Sequence, residues 1–219
     1  MNKHLYIQAR VCSERLPGKI LKKICEKTLI EIIFERAKRI RDIDKIVIVT
    51  GSKEKNFQLI KELKRLNIDY FCGNEENILD RFYNASLYFK SDIIIRITGD
   101  NPLIDSDIIS EGLEIFEKNQ YDILSVNRIP SFPHGMNFEI FKKSALIKSW
   151  KENLKQFHSK EDFYNTFINP VKHMLEKNEF INYDMINKEK LDNLRLTVDY
   201  KEDFLLVEKI FEELYKDQK

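Results

Sequence analysis

The stretch Gln8-Ala9-Arg10-Val11-Cys12-Ser13-Glu14-Arg15-Leu16-Pro17-Gly18-Lys19 directly follows a short apolar run, Leu5-Tyr6-Ile7. Three cations, Arg10, Arg15 and Lys19, fall within it, and it closes on a glycine. Arginine presents a planar fork that matches phosphate oxygens, lysine a compact point charge, and glycine lets backbone amides come close to a ligand. Three such charges suit a polyanion better than a monophosphate. A solvated basic loop is the plainer explanation of the same residues. The spacing is neither that of a P-loop nor the Gly-x-Gly-x-x-Gly of dinucleotide folds.

Two carboxylates stand at the ends of apolar runs. Asp100 closes Ile93-Ile94-Ile95-Arg96-Ile97-Thr98-Gly99, and Asp199 closes Thr197-Val198. Two aspartates at neighbouring strand ends suit magnesium, which takes one or two carboxylates together with substrate phosphate oxygens. Aspartate is also a good helix N-cap. For Asp100 that alternative is weakened by Asp105, the better placed cap; for Asp199 capping and metal binding both stand. Arg96, inside the isoleucine-rich run, is expected to be buried and must then be paired. It would either support the site from behind or contact a base directly. Glu75 and Glu76 precede a helix start, where negative charge is favoured. Arg81 lies one turn inside, facing a ligand or forming a weak surface ion pair.

These groups need a scaffold that brings strand ends together. Short β-rich runs alternate with amphipathic stretches, the pattern of a mostly parallel sheet covered on both faces. Strands are expected at Leu5 to Ala9, Lys45 to Thr50, Tyr70 to Cys72, Asp92 to Ile97, Asn137 to Phe141 and Leu194 to Val198. Helices are expected from the stripes Leu29 to Ile40 and Phe57 to Leu66, then from Asn77 to Phe89, Asp105 to Phe116 and Lys201 to Tyr215. After residue 120 the regularity loosens at Pro130, Pro133 and Gly135. Ligands bind such sheets at the carboxyl edge.

The 219 residues suffice for one core and contain no linker-like segment. With 37 basic and 36 acidic residues the net charge is +1, so no global field holds nucleic acid or an anionic membrane, and phosphate affinity must be local. Three cysteines without metal spacing, and no apolar leader or twenty-residue apolar run, give the expectation of a cytoplasmic protein. Cys12, inside the basic loop, is read as a spectator thiol, since no base or partner motif accompanies it. His158 and His173 are read as exposed on polar helical stretches.

The basic loop, Gly73-Asn74-Glu75-Glu76-Asn77-Ile78-Leu79-Asp80-Arg81-Phe82, Arg96-Ile97-Thr98-Gly99-Asp100-Asn101-Pro102-Leu103-Ile104 and Leu194-Arg195-Leu196-Thr197-Val198-Asp199 together resemble the motifs of sugar nucleotidyltransferases. The resemblance is above all to acidic-sugar cytidylyltransferases and the spore coat polysaccharide biosynthesis protein F (SpsF-like) family, and it covers nearly the whole chain. It implies a single-domain α/β fold of the Rossmann-like nucleotide-diphospho-sugar transferase type, with a mixed, mostly parallel sheet. Residues 1–126 would form the nucleotide-binding part, and 127–219 the acceptor part with the last metal-bearing strand. By the same resemblance, Ala9, Arg10, Ser13, Arg15 and Lys19 wrap CTP, with Arg81 (partnered by Asp80) and Thr98 also on the nucleotide side. Arg10, Arg15, Lys19 and Asp100 would be catalytic, and Asp100 and Asp199 would hold Mg2+.

Phe132-Pro133-His134-Gly135-Met136-Asn137-Phe138-Glu139 resembles the SpsF-like Pro-x-Gly-x-Asp-x-Glu segment on the acceptor side, which assigns His134, Asn137 and Glu139 to the acceptor. Two positions and one segment depart from family patterns. Thr98 stands where acidic-sugar enzymes often carry glutamine, a departure shared with the SpsF-like pattern, Asn137 where aspartate is usual, and Lys160-Glu161-Asp162-Phe163 where SpsF-like chains have Arg-Glu-His-Val. The implied reaction is attack of an acceptor oxygen on the α-phosphorus of CTP, with pyrophosphate leaving. The acceptor would be a small acidic or phosphorylated molecule, and the enzyme a homodimer. The rivals are a glycosyltransferase of the same fold, for which Asp105-Ser106-Asp107 is a formal Asp-x-Asp match, and a non-catalytic nucleotide-binding subunit.

Overall fold

The computed structural model describes residues 1–214. Its elements in chain order are β1 (Lys3–Gln8), β2 (Lys23–Ile24), β3 (Lys27–Thr28), α1 (Leu29–Ala37), β4 (Lys45–Thr50), α2 (Phe57–Arg65), β5 (Tyr70–Cys72), α3 (Ile78–Tyr88) and β6 (Ile93–Thr98). They continue with α4 (Ser106–Glu117), β7 (Ile123–Ser125), β8 (Glu139–Lys142), α5 (Lys143–Leu154), α6 (Lys160–Asn165), α7 (Lys172–Glu176), β9 (Asn182–Asp184) and α8 (Lys201–Leu214).

Seven strands form one mixed sheet in the order β5-β4-β1-β6-β8-β7-β9. The first four are mutually parallel, β8 runs antiparallel to β6 and β7, and β9 is parallel to β7. Alternation along each strand divides the core. Leu5 and Ile7 of β1, Ile48 of β4 and Ile95 of β6 pack with Ile30, Leu59, Leu113 and Val207 of α1, α2, α4 and α8. Tyr6, Val47 and Ile94 face the other way, onto Leu79, Phe82, Leu146 and Met174 of α3, α5 and α7. A sheet apolar on both faces has to be covered on both, which is why its strands are near-continuous hydrophobic runs.

The expected strands at Lys45–Thr50 and Tyr70–Cys72 have those bounds, and the strand expected from Asn137 begins two residues later, at Glu139. Leu194 to Val198 is not a sheet strand. It is an extended segment crossing the carboxyl edge, held by backbone bonds from the His134 amide to the Leu194 carbonyl (2.8 Å), from Leu196 to His134 (2.6 Å) and from Val198 to Asp100 (2.7 Å). Its hydrogen bonds go to loops, and only its end, Thr197 and Val198, is buried, while Leu194 is exposed. Gly135 makes the crossing feasible: its φ is +116°, and a Cβ there would lie 2.5 Å from the Leu196 carbonyl carbon. The short β7 and β9 and the β2–β3 hairpin carry too few residues for an alternation pattern. The α8 expectation to Tyr215 extends beyond the described residues.

Candidate functional site

The chain runs outwards from β1 to β4 and β5 and then crosses back to β6 on the other side of β1, so the carboxyl ends of β1 and β6 flank a topological switch point, the usual ligand position in open α/β sheets. The two ends are joined by the bond from the Gly99 amide to the Gln8 carbonyl (2.8 Å). The basic loop starts there. It folds back on itself through Gly18 N to Val11 O and Lys19 N to Leu16 O, each 3.2 Å. Gly18 takes a left-handed φ of +67° with nothing near its missing side chain, so glycine serves the turn here and not a close approach. Lys19 then opens a short 3-10 turn anchored by buried Ile20, and its side chain points back across the sheet edge.

Lys19 Nζ donates to the Val198 carbonyl (2.6 Å) and to Asp199 Oδ1 (3.0 Å) and lies 3.6 Å from Asp100 Oδ2. Asp100, just after β6, and Asp199, at the end of the crossing segment, thus face one ammonium. Asp199 also takes Arg15 (2.7 Å) and Arg195 (3.2 Å). Burial pushes the Asp199 carboxyl up, but the bond from Lys19, the Lys19 and Arg15 charges and the bond from Arg195 together hold it below the ordinary carboxylate value. Its side chain is spent on cations and does not cap α8. That role falls to Asp203, which accepts from the Asp199 and Tyr200 amides, both at 2.9 Å. Asp105 caps α4 through the amides of Asp107 and Ile108. On the other carboxylate, Thr98 Oγ1 donates to Asp100 Oδ1 (2.5 Å).

Two adjoining clefts open at this edge. The first, of about 340 Å³, is lined by every residue expected on the nucleotide side: Ala9, Arg10, Ser13, Arg15, Lys19, Arg81, Thr98, Asp100 and Asp199. Phe167 and Asn169, from the expected acceptor part, also line it. Arg81 is buried, not at the surface, and Asp80 is not its partner. Its guanidinium donates to the carbonyls of Asn74 and Glu75 (2.7 Å each), while Asp80 takes Trp150 and Asn84. The reason is direction: adjacent helical residues point to different faces. Burial pulls Arg81 down to about 10, with Glu75 opposing and Arg10 adding to the shift, so it stays cationic at neutral pH. Arg10 is exposed in the same cleft, with no carboxylate at ion-pair distance among the described residues.

The second cleft, of about 450 Å³, shares Arg96, Thr98 and Asn169 with the first and includes Asn137, Glu139, Arg128 and Lys172. Buried Arg96 is paired as burial requires: Nη1 meets Glu139 Oε2 at 2.8 Å and Nε meets Gln8 Oε1 at 3.0 Å. The antiparallel pairing of β6 with β8 sets Arg96 opposite Glu139. Asn127 donates to the other Glu139 oxygen. His134 lines neither cleft. It is exposed, and its Nδ1 lies 3.2 Å from Arg195 Nη1. His173, expected exposed, is half-buried against Phe180 in α7, and His158 lies in an exposed bend outside any helix. Asp105 and Asp107 line neither cleft, and Asp107 pairs with Arg41.

Among the described residues no group of three or more His, Cys, Asp or Glu side chains could cage a metal. Asp100 and Asp199 face the same Lys19 ammonium, so a cation held between them, with phosphate oxygens completing its shell, takes the place of that ammonium. Sequence reasoning passed over Arg195, Arg128 and Asn56. Arg195 stands inside a quoted motif, whereas nothing local in the sequence marks the other two.

The profile of the cytidylyltransferase family matches residues 5–214. An uncharacterized protein from Methanocaldococcus jannaschii is 34% identical over 91% of this chain and 79% of its own length. The spore coat polysaccharide biosynthesis protein SpsF of Bacillus subtilis is 29% identical over 97% of this chain and 88% of its own. The structure of a cytidylyltransferase from Leptospira borgpetersenii superposes with a TM-score of 0.86 at 28% identity, covering 98% of this chain and 88% of that one. With the profile spanning nearly all of its length, this chain belongs to the cytidylyltransferase family and is an enzyme.

Proposed function

We propose that the enzyme transfers the cytidylyl group of CTP to an oxygen of a small acidic or phosphorylated sugar-like acceptor, releasing pyrophosphate, for surface polysaccharide or glycan assembly. The observation that carries this reading is the pair of clefts joined at Arg96, Thr98 and Asn169. One collects Arg10, Lys19 and Arg81 beside two carboxylates, and the other is lined by Lys172, Asn137 and Arg128, which Asp184 holds. A triphosphate and a second anionic molecule then meet at the shared wall, next to Asp100 of the first cleft, whose Oδ1 is bound by the shared Thr98. Residues 1–126 supply most of the first cleft and 127–219 most of the second.

In this reading the residues act by position and charge, as suits phosphoryl-type transfer. Phosphate oxygens compete with Asp199 for Lys19 and Arg15, and Arg10 offers its fork to the same anion. Charge gathering on the leaving pyrophosphate is then matched by groups already oriented towards it. Asp100 and Asp199 would hold Mg2+, which when bound supplies Lewis-acid polarisation of phosphate oxygens. Asn137, in place of the aspartate of related chains, leaves the acceptor cleft less negative and favours an acidic acceptor. SpsF, a spore coat polysaccharide biosynthesis protein, supports the pathway class. The working unit is read as a homodimer.

The test is pyrophosphate release with each of the four common triphosphates against acidic and phosphorylated acceptors. Turnover is expected with CTP, and turnover of a nucleotide-sugar instead would replace this reading by glycosyl transfer. Asp100→Asn and Asp199→Asn test the cation site. Each keeps size and removes charge, so activity at limiting Mg2+ should fall by about a hundredfold, and full activity of both variants would sink the metal assignment.

A further inference from the structure

Asn56 precedes α2 at the position where an asparagine normally caps a helix, yet its side chain makes no capping bond. It turns away, fully buried, and accepts a hydrogen bond on Oδ1 from the amide of Val11 in the basic loop (3.0 Å). Its Nδ2 donates to the Ser52 carbonyl (3.0 Å) and to Glu75 Oε2 (3.1 Å). Glu75 Oε2 also accepts from the Ser52 amide (2.8 Å), in a space that a side chain at Gly51 would fill. The Glu75 carbonyl is in turn one of the two that hold Arg81. Val11 is the loop's closing residue, since its carbonyl takes the Gly18 amide just ahead of Lys19.

We infer that Asn56, backed by Glu75, is a positioning residue that fixes the triphosphate loop at Val11 and sets it in register with Arg81. An amide side chain is the group this place requires. Val11 needs an acceptor and Glu75 a donor, and both demands meet on one buried side chain, where an unmet partner is costly. The loop contributes Arg10 and Lys19, and α3 contributes Arg81, to the same cleft. A slip at Val11 would therefore move the loop's cations, Arg15 among them, relative to Arg81. The inference rests on the reading of that cleft as the CTP site.

The experiment measures CTP and tripolyphosphate binding by calorimetry, together with KM for each substrate, in the intact enzyme and in Asn56→Asp and Asn56→Ser. Asn56→Asp keeps size and the acceptor for Val11 but sets two carboxylates together. Asn56→Ser keeps a hydroxyl that is too short to span both partners. Both should weaken CTP and tripolyphosphate by about tenfold, with the acceptor KM within twofold of the parent. Adding Glu75→Gln to Asn56→Asp should recover part of the loss, which a merely destabilising substitution would not show. Folded variants that bind CTP within twofold of the parent would overturn the inference and leave the cytidylyl-transfer reading intact. A parent enzyme that binds no CTP would overturn both.

Discussion

At the scale of the residue, Lys19 joins the parts of the site. It is 12% exposed, touches both aspartates, and is bound to the Val198 carbonyl, so one side chain ties the basic loop to the segment across the sheet edge. Asp199 keeps Arg15 and Arg195 if Lys19 is lost, so Lys19→Ala should fold. The expected outcome is a fall in kcat of about a hundredfold or more, with a smaller change in KM, because a charge on a leaving pyrophosphate acts mainly in the transition state. Steady-state pyrophosphate release checks it, and near-normal kcat would remove Lys19 from the mechanism.

At the scale of the element, α8 is held at its start by Asp203. The Arg195 guanidinium first, and then the amides of Tyr200 and Asp199, keep that carboxyl well below the usual range. A group whose folded pKa is depressed stabilises the protein above its unfolded value, about 3.9 for aspartate, and loses that contribution as pH falls through the folded value. Asp203→Asn should therefore lower Tm at neutral pH by ~2–4 °C, the size of a lost helix cap. Its Tm should also fall less steeply than the parent's below about pH 4. Calorimetric scans from neutral to acid pH measure both, and parallel Tm profiles would show that Asp203 holds nothing in place. The Asp199 side chain is aimed by the same cluster, so activity should follow the helix start as well.

At the scale of the whole molecule, the apolar and aromatic stretch Ile129 to Phe141 is mostly core: Phe132, Phe138, Ile140 and Phe141 are buried. Ile129 remains exposed, and so do Ile186 and Leu194. The segments bearing them are stitched together by bonds from Asn187 and Leu191 to Ser131 and from His134 to Leu194. Exposed apolar side chains on adjoining segments are the surface a second copy could cover. Light scattering across a concentration series should give twice the chain mass, and a monomer at the highest concentration would count against the dimer while leaving the chemistry untouched.

The parallel half of the sheet was legible in the sequence because each strand there is an unbroken apolar run between amphipathic stripes. The loop from Ala9 to Lys19 and the strand-end Asp100 were legible because their chemistry is local: cations near a glycine, and a carboxylate after isoleucines. What the chain could not state by itself lies in contacts between distant residues. The partner of Arg96 is Glu139 only because β8 runs antiparallel beside β6. Arg81 turned out to serve backbone carbonyls and not Asp80, His134 meets Arg195 and not a cleft, and Asp199 arrives on a loop-bonded segment instead of a strand. Local propensity and hydrophobic pattern fix which residues are buried and in which elements. The direction of a buried polar side chain is decided by where its hydrogen-bond partner lies after folding, and that partner is set by tertiary packing alone.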